Sequence, residues 1–129
     1  MRILLDTHVA IWWQTNDPKL PKNLFIWYKH KPHVFVSQAS LWEMSIKKSF
    51  GKINIDLSQF IRFTQQVGFE WLDISQQHIL TVATLPIFSQ HKDPFDRMPI
   101  AQAISDSLIL FTVDQKLETY GEMFYSFKK

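Results

Sequence analysis

Acidic side chains follow two apolar segments of this chain, at positions where a folded sheet would bring them together. Asp6 comes directly after the run 2–5, and Asp114 comes just after the run 108–111. If both runs are parallel strands, their carboxyl ends lie on one edge of the sheet, where ligands bind in open α/β folds. Two carboxylates in one crevice repel each other unless they share a proton or bind a cation. Each Asp alone has a simpler explanation, because an Asp at a strand end often caps the next helix.

Glu43 is a third candidate, and it lies inside a predicted helix. Lys47 follows it by one turn, so a solvated ion pair between the two residues is the simpler interpretation. Trp42 and Ile46 bracket the apolar stripe of that helix. Glu43 therefore lies at the edge of the stripe and could instead face the crevice.

The densest acidic segment is 91–97. Asp93 precedes Pro94, which is the pattern of a helix N-cap followed by proline at the first helical position. Asp96 would then lie in the first turn, where the helix dipole favours a negative charge. Capping explains Asp93 almost completely and Asp96 only in part. Arg97 could contact a phosphate or simply offset the neighbouring acids.

The available side chains point to oxygen ligands for a hard cation. The chain has no Cys, and its 5 His residues show no pairing at the spacing of zinc ligands. Carboxylates without nitrogen or sulfur partners suit Mg²⁺ or Mn²⁺. Such an ion can lower the pKa of water and stabilise the leaving oxygen in phosphodiester cleavage. Basic residues near the acids would then grip a nucleic-acid backbone, and the candidates are Lys47, Lys52, Arg97 and His8.

Alternating strands and helices predict the frame that would position these residues. Strands are expected at 2–5, 34–36, 69–72 and 108–111, with an edge strand at 123–127. Helices are expected at 9–13, 22–30, 39–50, 58–67, 94–106 and from the Ser75 cap to Thr84, with a short ribbon at 52–55 and a loop at 85–92. This alternation implies a parallel sheet covered on both faces, in a single domain over residues 1–129.

Composition narrows the class of protein further. The chain has 129 residues, of which 46% are hydrophobic, and its net charge is only +2. It contains no apolar run of the ~20 residues that a membrane span needs, and Asp6 interrupts the N-terminus too early for a signal-peptide core. We therefore expect a cytoplasmic protein without a membrane partner. Aromatic residues reach 15%. They either fill the core and an oligomer interface, which their apolar neighbours favour, or stack on bases. Trp12-Trp13, Trp42 and Phe124-Tyr125 could instead mark a partner surface.

Four ordered motifs carry a resemblance to a known family. They are Leu4-Leu5-Asp6-Thr7-His8, then Ser40-Leu41-Trp42-Glu43 with Lys47 and Gly51-Lys52, then Asp93-Pro94-Phe95-Asp96-Arg97 with Ile100-Ala101-Gln102-Ala103, and finally Phe111-Thr112-Val113-Asp114. The chain resembles the PIN-domain ribonucleases, specifically the VapC-type toxins of bacterial VapBC toxin–antitoxin pairs. No single motif is specific, but the ordered set covers nearly the whole chain.

The resemblance implies a three-layer α/β/α fold with a central, mostly parallel sheet. It also implies a nuclease that uses Mg²⁺ or Mn²⁺, cleaves RNA to a 5′-phosphate and a 3′-hydroxyl, forms homodimers and binds a small cognate antitoxin of the VapB type. The family's acidic quartet corresponds to Asp6, Glu43, Asp96 and Asp114, with Asp93 and Thr112 as possible additional site residues. Our hypothesis is that the three aspartates of the quartet bind metal directly, while Glu43 binds a second ion or orients water.

Other interpretations remain open at this point. The chain could be a PIN nuclease of RNA processing without an antitoxin, or a PIN fold that has lost catalysis and only binds. A phosphoryl-accepting receiver domain has a similar size, but it usually carries adjacent acids after its first strand, whereas Thr7 follows Asp6 here. Pro99 also departs from the PIN pattern, in which a large aliphatic residue is common. Inside a helix it would remove one hydrogen bond, and a kink or a second helix start would relieve the cost.

Overall fold

A five-stranded parallel sheet forms the centre of the molecule. The computed structural model describes residues 1–22, 24, 28–86 and 93–113, together with the backbone of 124–126. The strands are β1 (Arg2–Leu5), β2 (His33–Ser37), β3 (Glu70–Leu72), β4 (Ile109–Thr112) and β5 (Phe124–Ser126). Their order across the sheet is β3-β2-β1-β4-β5. β2 and β3 are therefore added on one side of β1, and β4 and β5 on the other side. This reversal makes the β1/β4 boundary a topological switch point.

Five helices lie in the described part of the chain. They are α1 (Thr7–Thr15), α2 (Gln38–Ser49), α3 (Leu57–Gln66), α4 (Gln76–Val82) and α5 (Pro94–Asp106). A polar side chain caps the start of each helix, as sequence patterns of this kind predict. Gly51 follows α2 with a φ of +71°, a left-handed conformation that a residue without Cβ adopts at no steric cost.

Apolar side chains form a separate core on each face of the sheet. Ile3 and Leu5 of β1 pack on one face with residues of α1, α2 and α3, while Leu4 packs on the opposite face with residues of α5. Because side chains alternate along a strand, one continuous apolar run supplies both cores. The structure confirms the predicted three-layer α/β/α arrangement.

Most of the predicted elements form close to their expected bounds, with a few differences. The ribbon predicted at 52–55 is wrong, because these residues form no strand. Lys48 Nζ instead donates to the Ile55 carbonyl at 2.7 Å, and the buried Ile55 side chain anchors the segment to the core. Residues 23 and 25–27 of the helix predicted at 22–30, and residues 87–92 of the loop predicted at 85–92, lie outside the described residues.

Pro99 lies inside α5 without dividing it. The helix runs without a break from Pro94 to Asp106, and the Pro99 side chain is buried. The second helix start that the sequence allowed therefore does not occur. Burial of the ring compensates in part for the backbone hydrogen bond that proline cannot make to Phe95.

Candidate functional site

Asp6 lies at the switch point of the sheet, and both oxygens of its carboxylate accept hydrogen bonds. Its backbone N–H donates to the Phe111 carbonyl at 2.9 Å, which continues the pairing of β1 with β4. Oδ1 accepts from the Thr7 N–H at 2.8 Å and caps α1, and Oδ2 accepts from Thr112 Oγ1 at 2.7 Å. Asp6 is thus both the cap that a strand-end Asp predicts and a residue joined to the end of β4.

The electrostatic surroundings of Asp6 disfavour its negative charge. Burial raises the pKa of Asp6 above its usual range, and the negative charge of Glu43 raises it further. The hydrogen bond from Thr112, the positive charge of His8 and the Thr7 N–H act in the opposite direction without cancelling the effect of burial. A cation beside Asp6 would relieve this cost, because it favours the charged carboxylate.

Glu43 is brought toward Asp6 by the contact between α1 and α2. Thr7 Oγ1 donates to Ser40 Oγ at 2.8 Å in a buried hydrogen bond, one turn before Glu43 on α2. Glu43 is only 8% exposed, and its Oε2 lies 2.8 Å from Lys47 Nζ. The ion pair that the sequence suggested therefore forms, but the acid is buried rather than solvated.

Lys47 lies among acids that come from two helices. Asp93 caps α5 by accepting from the Phe95 N–H at 2.8 Å, and Asp96 follows in the first turn; both side chains are exposed. The hydrogen bond and charge of Glu43 raise the pKa of Lys47, burial opposes them, and the charges of Asp93 and Asp96 raise it further. The ammonium group therefore holds a positive charge between the acid of α2 and the acids of α5.

The structure brings part of the predicted acidic set together. The charge of Glu43 raises the pKa of Asp6, and the charges of Glu43, Asp93 and Asp96 all raise the pKa of Lys47. Within residues 1–22, 24, 28–86 and 93–113, no three His or acidic side chains lie close enough to hold an ion jointly. Asp114 lies outside the described residues. The donors at the switch point are nonetheless carboxylate oxygens, and their mutual repulsion is what a hard cation would offset.

The other predicted substrate contacts have local partners or lie at the surface. Arg97 donates to the carbonyls of Val82 and Pro86, both at 3.2 Å, and so ties α5 to the end of α4. His8 is exposed, with its ring 5.9 Å from the ring of Trp12, and Lys52 is also exposed. Contact of these residues with a substrate stays a prediction.

A buried polar chain behind the site was not anticipated from the sequence. Ser37, the cap of α2, donates to Gln102 Oε1 at 2.7 Å, and Gln102 Nε2 donates to the Asp73 carbonyl at 3.4 Å. His78 belongs to the same group of polar side chains. Its Nδ1 accepts a hydrogen bond from the Ser75 N–H at 3.0 Å, and its Nε2 lies 2.9 Å from Asp106 Oδ2. Gln102 is fully buried, and it is the polar residue in a run of otherwise small and apolar residues. That pattern is the sequence signal from which the buried polar chain could have been predicted.

Comparison with known proteins identifies the fold family. A family model described as "PIN domain" matches residues 3–123. The chain belongs to the PIN domain family. This membership removes the receiver-domain alternative. The described residues of this PIN domain include no helix long and apolar enough to cross a membrane.

Individual relatives are distant in sequence but match over most of their length. Ribonuclease VapC22 of Mycobacterium tuberculosis is 24% identical over an alignment of 127 residues that covers 92% of this chain and 91% of the relative. A chain of VapBC2 from Rickettsia felis, solved bound to a DNA fragment from its promoter, superposes with a TM-score of 0.71 at 14% identity, over 99% of this chain and 100% of that one. A chain of VapBC-1 from nontypeable Haemophilus influenzae gives 0.66 at 20% identity and covers both chains completely, at 100%. At these identities the solved structures establish the fold alone.

Proposed function

We propose that this PIN domain is a metal-dependent endoribonuclease that acts as the toxin of a type II toxin–antitoxin pair. The observation that carries the proposal is Asp6 itself, a partly buried carboxylate at the switch point that accepts a hydrogen bond from Thr112 and whose pKa is raised by burial and by the charge of Glu43. The curated relative is a ribonuclease, and the solved neighbours include toxin–antitoxin complexes, which supports both parts of the proposal. The substrate is RNA, and the partner is a small antitoxin.

In this proposal Asp6, Asp96 and Asp114 would hold Mg²⁺ or Mn²⁺, and Glu43 would bind a second ion or orient the attacking water. When bound, the metal supplies activation of water and stabilisation of the charge that develops on the phosphate oxygens. Thr112 and the Thr7 N–H fix both oxygens of Asp6, so its carboxylate is oriented before any ligand arrives. Asp93 holds the start of α5 and so positions Asp96.

Lys47 provides a positively charged side chain beside the acidic residues. With 38% of its side chain exposed, it can turn from Glu43 toward a phosphate of the substrate. Its raised pKa keeps the ammonium charged in neutral solution. We infer that it contacts the RNA backbone beside the cleaved bond.

The test is RNA cleavage by the purified chain with Mg²⁺, with Mn²⁺ and with a chelator. Asp6→Asn and Asp96→Asn are expected to lower the cleavage rate by at least 100-fold, a change typical for loss of an electrostatic catalytic group. Asp56→Asn is the matched control, because Asp56 also caps a helix but belongs to none of the four motifs that carry the acids. Cleavage that survives both site substitutions, or a 2′,3′-cyclic phosphate product, would contradict the assignment.

The toxin role is tested separately in cells. Induced expression should arrest growth, Asp6→Asn should abolish the arrest, and co-expression of a small protein encoded beside this gene should restore growth. Cleavage in vitro without growth arrest, and without a neighbouring partner, would instead favour a nuclease of RNA processing. Metal-independent RNA binding without cleavage would favour a PIN fold that only binds.

A further inference from the structure

An aromatic pair lies exposed beside the acidic residues. The rings of Trp42 and Phe95 meet edge to face, with their centroids 4.9 Å apart and their planes at 80°. Trp42 is 57% exposed, although tryptophan is usually mostly buried in folded proteins. The contact with Phe95 orients the indole while leaving much of its surface open to a ligand.

Single exposed hydrophobic residues are ordinary, so exposure of Trp42 alone does not indicate a binding site. The position of the aromatic pair beside the acidic residues does. Trp42 directly precedes Glu43 on α2, and Phe95 directly precedes Asp96 on α5. The same two helices therefore carry the aromatic rings and the acids. Lys47 lies on α2 one turn after Glu43, and the charge of Asp96 on α5 also raises the pKa of Lys47.

The surroundings of the rings favour nucleic acid over protein. Phe95 lies between the exposed Asp93 and Asp96 in the sequence, and Trp42 precedes Glu43, which pairs with the partly exposed Lys47; carboxylates repel phosphate, so Lys47 is the one among these charges that can contact an RNA backbone. The buried centre of a protein–protein interface is depleted in such charges. Sites for single-stranded nucleic acid instead combine an aromatic ring, on which a base stacks, with a cation that contacts the backbone.

We propose that Trp42 is a stacking platform for an unpaired base of the RNA substrate, next to the phosphate that is cleaved. The inference rests on the proposed function and adds to it a residue that binds the substrate; the base it binds is unpaired, because a base in a duplex cannot stack on a protein ring without leaving its partner. Phe95 is a positioning residue that holds the indole. Lys47 contacts the adjoining phosphate.

The test measures RNA affinity in the Asp6→Asn background, which prevents cleavage during the titration. Two labelled strands of 12 nucleotides are compared by fluorescence anisotropy, oligoadenylate and an abasic strand with the same ribose-phosphate backbone. Trp42→Ala should weaken oligoadenylate binding by about 5- to 100-fold, the range measured for loss of one base–aromatic stack. It should leave binding of the abasic strand unchanged, and Trp42→Tyr should retain most of the affinity.

Controls separate stacking from charge and from general loss of apolar surface. Phe50→Ala removes another exposed ring, 73% accessible at the far end of α2, and should not change the affinity. The dependence of binding on salt should be the same for Trp42→Ala as for the parent. Lys47→Met should instead reduce the slope of log K against log salt by about 0.7, the value for one phosphate contact on a single strand.

Several results would overturn the proposal. They are unchanged oligoadenylate affinity in Trp42→Ala, or an equal loss for the abasic strand. A change in oligomeric state or antitoxin binding without a change in RNA affinity would assign the ring to a protein interface instead. Failure here leaves the nuclease assignment standing if Asp6→Asn still abolishes metal-dependent cleavage. If the chain did not cleave RNA but Trp42 still stacked on a base, the nuclease assignment would be wrong and the stacking role of Trp42 would stand.

Discussion

At the scale of single residues, the site combines structural and chemical roles in the same side chains. Asp6 caps α1, and Asp93 caps α5, yet burial and, to a smaller extent, repulsion by Glu43 raise the pKa of Asp6. Lys47 reduces that repulsion at the Glu43 end, where it forms a 2.8 Å ion pair. A divalent cation that uses Glu43 therefore competes with an ammonium group supplied by the chain.

This competition predicts the effect of removing the ammonium group. Lys47→Met keeps an unbranched side chain but deletes the charge, so Mn²⁺ should bind about 2- to 5-fold more tightly, the equivalent of one partly exposed ion pair. Isothermal titration calorimetry with Mn²⁺ measures the change. Lys48→Met is the control, because the ammonium of Lys48 donates to the Ile55 carbonyl rather than to an acid. Weaker Mn²⁺ binding in Lys47→Met would show that the lysine orients Glu43 instead of competing for it.

At the scale of elements, local sequence was enough to predict most of the sheet and its helices. Strands β1 and β4 appear as short apolar runs, and Ser75 and Asp93 mark helix starts, because caps and buried strands depend on near neighbours. The ribbon at 52–55 was wrong because alternation alone does not provide a partner strand. Burial of Glu43 also could not be predicted, because it depends on how α2 packs against distant parts of the chain.

The polar chain through Gln102 holds elements together behind the site. Gln102 is fully buried on α5 and joins the start of α2, through Ser37, to the Asp73 carbonyl that follows β3. Gln102→Met preserves the side-chain size but leaves these buried groups without partners. We expect it to lower the free energy of unfolding by about 1–3 kcal/mol, the cost of unsatisfied buried polar groups.

Urea denaturation measures this loss. Gln65→Met, at an exposed position of α3, is the control and should change stability by less than about 0.5 kcal/mol. A stability for Gln102→Met equal to that of the parent would mean that the network fixes the position of α2 without stabilising the fold. Reduced RNA cleavage at full stability would then be the remaining sign of a positioning role.

At the scale of the whole molecule, the strand order β3-β2-β1-β4-β5 explains why residues distant in sequence meet at one edge. Asp6 follows β1, Thr112 ends β4, and their side chains bond although 106 positions separate them. The apolar runs predicted that Asp6 and Asp114 would meet at this edge, and the family resemblance added Thr112; the contact of Asp6 with Thr112 forms, while Asp114 lies outside the described residues. A charge at such a junction affects the stability of the entire sheet, since β1 and β4 pair with each other at its centre.

The raised pKa of Asp6 therefore predicts how global stability depends on pH and on metal. The folded chain holds the Asp6 proton more tightly than the unfolded chain, so without metal this group makes unfolding easier as pH rises from the usual Asp range through the raised pKa. Asp6→Asn cannot ionise, and Asn can keep one acceptor for the Thr7 N–H. With chelator present, its midpoint of thermal unfolding should therefore exceed that of the parent at pH 8, and the difference should shrink toward pH 4.

In the presence of Mn²⁺, the midpoint of thermal unfolding of the parent should instead exceed that of Asp6→Asn. At a free concentration 100-fold above its Kd, the ion should stabilise the parent by about 2.7 kcal/mol through binding to the folded state alone. This stabilisation should grow with pH, because the ion binds the ionised carboxylate and displaces the proton of Asp6. Asp6→Asn should gain much less, while Asp56→Asn should respond like the parent. If Mn²⁺ stabilised Asp6→Asn and the parent equally, the ion would bind elsewhere, and a metal site would not explain why a carboxylate with a raised pKa lies at the switch point.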